Sequence, residues 1–111
     1  MTRAVLLVPL LLAATAVAPA FAIADDHTIA LAVTDAGFDP AEIQAPVGSR
    51  VRIEVTNKSS AAIEFESFEL NRERVIQPGQ TVTVYVSGLD AGSYAFFDDF
   101  HQERKGTLVV R

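Results

Sequence analysis

The chain has 111 residues, of which half are hydrophobic, with five prolines, six glycines and no cysteine. This length has room for one compact domain and none for a second, and the lack of cysteine excludes disulfide bonds. The formal net charge of -5 at pH 7 excludes the basic surface with which proteins bind nucleic acid. The sequence therefore predicts a single domain that is stabilised by its hydrophobic core alone.

The first 22 residues have the pattern of a secretory signal peptide. One cation, Arg3, precedes an apolar run that ends at Val17, and Ala20-Phe21-Ala22 then supplies the small residues that signal peptidase accepts. Because a second acceptable site ends at Ala24, we predict cleavage after Ala22 or Ala24 and a domain over residues 25–111. The alternative is a retained membrane anchor, but about 14 apolar residues span only about 21 Å of a ~30 Å hydrocarbon core.

Apolar and polar residues alternate in short segments after the leader, which is typical of β-strands with one buried face. The alternation is clearest at Ile29, Leu31 and Val33, at Val51, Ile53 and Val55, and at Val82, Val84 and Val86. Further strands are predicted at Glu42 to Ala45, Ile63 to Phe68, Arg74 to Ile76, Ser93 to Asp98 and Thr107 to Val110. About eight strands in so short a domain predict an all-β, two-sheet Greek-key sandwich. The predicted core contains Phe65, Val51, Ile53, Val55, Val82, Val84, Phe96 and Leu108.

Three stretches in this order resemble the cupredoxin family. They are Phe38-Asp39-Pro40 leading into Val47-Gly48-Ser49, then Gln77-Pro78-Gly79, then Gly92-Ser93-Tyr94-Ala95-Phe96-Phe97 with His101 and the last strand. The resemblance covers essentially the whole domain and implies a cupredoxin-like sandwich. In copper-binding members, a cysteine follows the Gly-x-Tyr-x-Phe strand, a histidine comes three residues later, and a methionine usually precedes the last strand.

This chain departs from that ligand set at three of its four positions. Asp98 stands at the cysteine position and Arg104 is nearest to the methionine position, while the place of the other copper histidine is taken by Ile63 and Glu64. Only His101 is kept. Because a blue-copper site requires a thiolate ligand, the sequence excludes a type 1 blue-copper electron carrier.

Carboxylates replace the sulfur ligands, and together with one imidazole they suit iron, manganese, zinc or Cu(II) better than Cu(I). We predict that Glu64, Glu66, Asp98 and His101 bind a metal ion, either iron or copper. Strand parity places Asp98 with the inward residues Tyr94 and Phe96, but it directs both glutamates away from the core. A solvated outer face therefore remains the alternative interpretation of Glu64 and Glu66.

The segments Glu64-Phe65-Glu66-Ser67, Gly92 to Phe97 and Phe100-His101 resemble the EfeO-type cupredoxin-like domains and the small periplasmic cupredoxins that accompany bacterial iron permeases. The resemblance implies a periplasmic protein that handles iron or copper for an uptake system, with an iron permease or another periplasmic uptake component as its partner. Oxidation of ferrous iron is one activity that it implies. The alternative is a metal-free sandwich that serves as an interaction or accessory module. His27, near the predicted mature amino terminus, is a further candidate ligand for Cu(II).

Overall fold

The alternating segments of the sequence form β-strands in the computed structural model, which describes residues 1–18 and 26–111. The predicted cleavage sites after Ala22 and Ala24 lie outside the described residues. Nine strands occur in the described ranges: β1 (Asp26–Thr34), β2 (Gly37–Asp39), β3 (Glu42–Ala45), β4 (Arg50–Asn57), β5 (Ile63–Ser67), β6 (Arg72–Ile76), β7 (Thr81–Ser87), β8 (Gly92–Asp98) and β9 (His101–Val110). Within these ranges there is no helix with the length and apolar character needed to cross a membrane.

The strands form two mixed sheets. The first sheet has the order β2-β1-β4-β7, and the second has the order β3-β9-β8-β5-β6. In each sheet one pair is parallel, β1 with β4 and β3 with β9, and the remaining pairs are antiparallel. The prediction of an all-β, two-sheet sandwich is confirmed. The structure adds the short strand β2 to the eight predicted strands, and it begins β6 and β9 earlier than the sequence indicated.

One hydrophobic core fills the space between the sheets, as the alternation predicted. Its centre is an aromatic cluster in which the ring of Phe96 lies 4.9 Å from that of Phe38 and 5.3 Å from that of Phe65, measured between centroids. All eight residues predicted for the core are buried: Val51, Ile53, Val55, Phe65, Val82, Val84, Phe96 and Leu108. The apolar face of each sheet is therefore covered by the other sheet.

Two hairpins in the second sheet position the polar residues considered below. In the hairpin of β8 and β9, Asp98 is paired with His101 across the two-residue turn at residues 99–100. In the hairpin of β5 and β6, Glu66 is paired with Glu73, and the turn between them contains Asn71 at a φ of 53°. Asparagine tolerates this left-handed conformation better than most residues, which explains its presence at the last position of the turn.

Candidate metal centre

The four predicted ligands lie in two groups on opposite faces of the second sheet. Asp98 is the partner of Phe65 across β5 and β8, and Glu66 is the partner of Phe97. Since directly paired residues project from the same face of a sheet, Asp98 points into the sandwich with Phe65. The structure thus brings the buried Asp98 together with the half-buried His101 at one end of the β8–β9 hairpin, and it places Glu64 and Glu66 on the outer face of the sheet.

The inner group is a hydrogen-bonded network centred on Asp98, whose exposed fraction is 0%. Its Oδ1 accepts hydrogen bonds from the backbone N–H groups of Glu64 and Phe100, each at 3.0 Å. Its Oδ2 accepts one from His101 Nδ1 at 2.8 Å and one from Arg104 Nη1 at 3.4 Å. Four donors therefore already surround this carboxylate, and a metal bound directly to it would have to displace one of them.

The inner group does not fit a type 1 copper ion. It contains no thiolate, since the chain has no cysteine, and a cation is already present in the buried side chain of Arg104. The Arg104 guanidinium also donates to the backbone oxygen of Asp35 at 3.3 Å. The arginine therefore balances the charge of Asp98 without a metal.

The outer group is a cluster of three carboxylates, Glu64, Glu66 and Glu73. One carboxylate oxygen of each lies within 4.8 Å of the others. Glu64 is buried with 9% of its surface exposed, Glu66 is half-buried and Glu73 is exposed. Glu73 was not predicted as a ligand; it joins the cluster because the hairpin register sets it opposite Glu66.

The carboxylates of the cluster have no ion-pair partner among the described residues. Burial, reinforced by Glu73, Glu66 and the charge of Asp99, raises the pKa of Glu64 from 4.5 to about 7. A cation bound here would remove this repulsion, and an all-oxygen donor set suits hard ions.

Comparison with known proteins identifies relatives of the whole domain. A family model described as a cupredoxin-like domain matches residues 3–110. An uncharacterized protein of Rickettsia prowazekii (strain Madrid E) is 29% identical over 83 residues, which is 74% of this chain. The match covers 66% of that protein, so the chain spans just under two thirds of the length of this relative.

Solved structures with the same fold include copper proteins. The metal-binding domain of the Cu(I)-exporting P-type ATPase CopA of Streptococcus pneumoniae D39, solved with Cu(I), has a TM-score of 0.68 at 19% identity, covering 78% of this chain and 86% of that one. A purple cupredoxin from Nitrosopumilus maritimus has a TM-score of 0.59 at 18% identity, covering 74% of this chain and 98% of that one. These similarities show the fold, and at such identities they show nothing of the site.

Proposed function

Because the chain belongs to the cupredoxin-like domain family, we propose that it is a periplasmic metal-binding protein that handles iron or copper for a metal-uptake system. The observation that carries the proposal is the cluster of Glu64, Glu66 and Glu73, whose carboxylate oxygens lie within 4.8 Å of one another. The leader pattern supports the periplasmic location, and the resemblance to EfeO-type domains supports an iron permease or another periplasmic uptake component as partner.

The chemistry of the cluster favours iron or Cu(II) over Cu(I). Carboxylate oxygens are hard ligands, whereas Cu(I) is held by soft sulfur ligands. A metal must compete with the proton of Glu64, whose pKa is raised to about 7. Metal binding therefore releases a proton when it occurs below that pH, and we expect the affinity to rise as the pH increases towards neutrality.

In this proposal His101 can bind a metal, whereas Asp98 holds the histidine ring in position. Since a carboxylate accepts the hydrogen of Nδ1, the contact with Asp98 leaves Nε2 of His101 as the ring nitrogen with a free lone pair. His101 is half-buried, and Nε2 is therefore the atom with which it would bind a metal. In that arrangement Asp98 orients the ring and is not itself a ligand, as carboxylates beside ligating histidines commonly do.

Calorimetric titration with Cu(II), and with Mn(II) as an air-stable substitute for ferrous iron, tests the proposal. We expect Glu64→Gln and Glu73→Gln each to weaken metal binding by roughly tenfold or more. Loss of a group that merely hydrogen-bonds to a metal ligand already costs about that much, and a lost ligand should cost at least the same. Glu42→Gln is the matched control, because Glu42 is exposed on β3, at the opposite edge of the same sheet. Equal affinity in all three variants would refute the carboxylate site.

The metal-free interaction module is the second candidate, and the inner network favours it. Asp98 accepts hydrogen bonds from His101 and Arg104, and the charges of Asp98 and Arg104 balance each other without an ion, as expected of a copper site converted to a structural ion pair. Failure of the wild-type protein to bind either metal would support this second function and exclude the first.

A further inference from the structure

A polar groove of about 460 Å³ lies at the open side of the sandwich, where the edge strands β6 and β7 face each other. It is lined by Asp26, Arg50, Arg72, Tyr85, Val86 and Ser87. Its volume falls within the ~300–1,000 Å³ that small-molecule sites occupy. None of the carboxylates of the metal cluster lines it, so it is a separate feature of the molecule.

Arg72 supplies a fixed positive charge to this groove. Its Nε donates to the backbone oxygen of Tyr85 at 2.8 Å, and its Nη1 donates to those of Asn71 at 2.8 Å and Leu70 at 3.3 Å. Among residues 1–18 and 26–111, the ion pairs do not include Arg72. Backbone carbonyls thus hold the guanidinium in one orientation while its charge stays without a carboxylate partner.

Arg50 and Tyr85 complete the lining. Arg50 contacts Asp26 Oδ1 through Nε at 2.6 Å, which leaves its two terminal nitrogens as donors. Tyr85 is 53% exposed, and the guanidinium carbon of Arg52 lies 5.9 Å from its ring centroid. The groove therefore combines two oriented guanidinium groups with a flat aromatic surface beside them.

We infer that this groove binds a small soluble anion that carries carboxylate or phosphate groups. The planar fork of a guanidinium matches both groups in geometry and charge. Four of the nine cationic residues lie on β4 and β6, the strands on either side of β7: Arg50, Arg52, Arg72 and Arg74. Arg50 and Arg52 are paired with Asp26 and Glu54, whereas Arg72 and Arg74 take part in none of the ion pairs of the described residues and supply the excess positive charge. The anionic groups bridge Arg50 and Arg72, and the remainder of the ligand lies against Tyr85.

Amide NMR titration of the metal-free protein in a buffer without phosphate tests this site, with citrate and inorganic phosphate as separate probes. We expect saturable shifts at Tyr85, Ser87, Arg50 and Arg72 with at least one probe, and weaker binding as NaCl screens the charges. Response to citrate alone assigns carboxylate ligands, and response to phosphate alone assigns phosphate ligands. The absence of saturable shifts up to about 10 mM of either probe, or shifts confined to other surfaces, would overturn the inference.

Variants separate the groove from general charge. Arg50→Gln and Arg72→Gln should each weaken binding by roughly tenfold, the effect of losing one charge-assisted contact. Arg74→Gln is the matched control, because Arg74 donates to the backbone oxygen of Thr83 on the same edge strand but does not line the groove. An equal loss in all three variants would show a non-specific charge effect and overturn the site. If Arg72→Gln fails to fold, Arg50→Gln and the wild-type shift map still decide the matter.

Discussion

Replacing Asp98 with asparagine tests whether the inner network stabilises the domain. The substitution hardly alters the size of the side chain, but it removes a negative charge from a position with 0% exposure. The remaining oxygen can still accept the backbone N–H groups of Glu64 and Phe100, whereas the new amide nitrogen faces two donors, on His101 and Arg104. The guanidinium of Arg104 then loses its buried carboxylate partner and keeps only the exposed Asp35, whose Oδ1 lies 3.9 Å from Nη2. We expect a loss of about 3–5 kcal/mol in the free energy of unfolding, as for other buried pairs that lose one member.

Urea denaturation of the wild type and the variant measures this loss, and thermal unfolding should show a midpoint lowered by roughly 12 °C or more. The control is Asp99→Asn, at an exposed neighbour whose side chain accepts a hydrogen bond from Gln102 Nε2 at 3.0 Å; its effect should stay within about 0.5 kcal/mol. The double variant Asp98→Asn, Arg104→Met should recover part of the loss, because it removes the cation that has lost its buried partner. If Asp98→Asn is as stable as Asp99→Asn, the reasoning about the buried pair is wrong.

Three further outcomes are expected. The pKa of Glu64 is about 7 in the folded protein and near 4.5 in the unfolded chain, so Glu64 favours folding at low pH and this contribution is lost as the pH rises through 7. Glu64→Gln should therefore flatten the fall of the thermal midpoint between pH 4.5 and 7. An unchanged slope would contradict the raised pKa. Spectra with Cu(II) should lack an intense band near ~600 nm, which requires a copper thiolate; a strong blue colour would end the oxygen-ligand proposal. Gly106→Ala should cost about 1–3 kcal/mol in chemical denaturation, because a Cβ there would overlap the Phe96 ring and lie 2.9 Å from the Ala41 oxygen. A neutral result at Gly106 would mean that the core has room to adjust.

The fold was predictable wherever a strand has one buried face of apolar residues. This holds for β1, β4 and β7, in which valine, isoleucine and leucine alternate with residues that are exposed or half-buried. It fails for β2, whose three residues contain a single buried side chain, Phe38, and therefore show no period. It also fails for the first half of β9, where the buried inward residue is Arg104 and the hydrophobic pattern is lost.

The site was predictable in part from strand parity. Parity correctly placed Asp98 inside the sandwich and both glutamates outside. Glu73 escaped prediction because β6 was expected to begin at Arg74, and the register that sets Glu73 opposite Glu66 depends on the turn that ends at Asn71. The contact of Arg104 with Asp98 could not be predicted either. The motif shows that Arg104 follows Asp98 by six residues, but it does not show that their side chains meet.

The order of strands has a consequence for how the domain folds. The first strand, β1, lies between β2 and β4, and the last, β9, lies between β3 and β8. Because β9 occupies an interior position, the second sheet has a gap until β9 has paired with both of its neighbours. Pairing of β3 with β9 also closes a loop of more than half the domain. The chain loses conformational entropy when this loop closes, before the contacts between the two strands stabilise it. We therefore expect the second sheet to form late, when β9 pairs with β3 and β8, and the domain to fold as one cooperative unit.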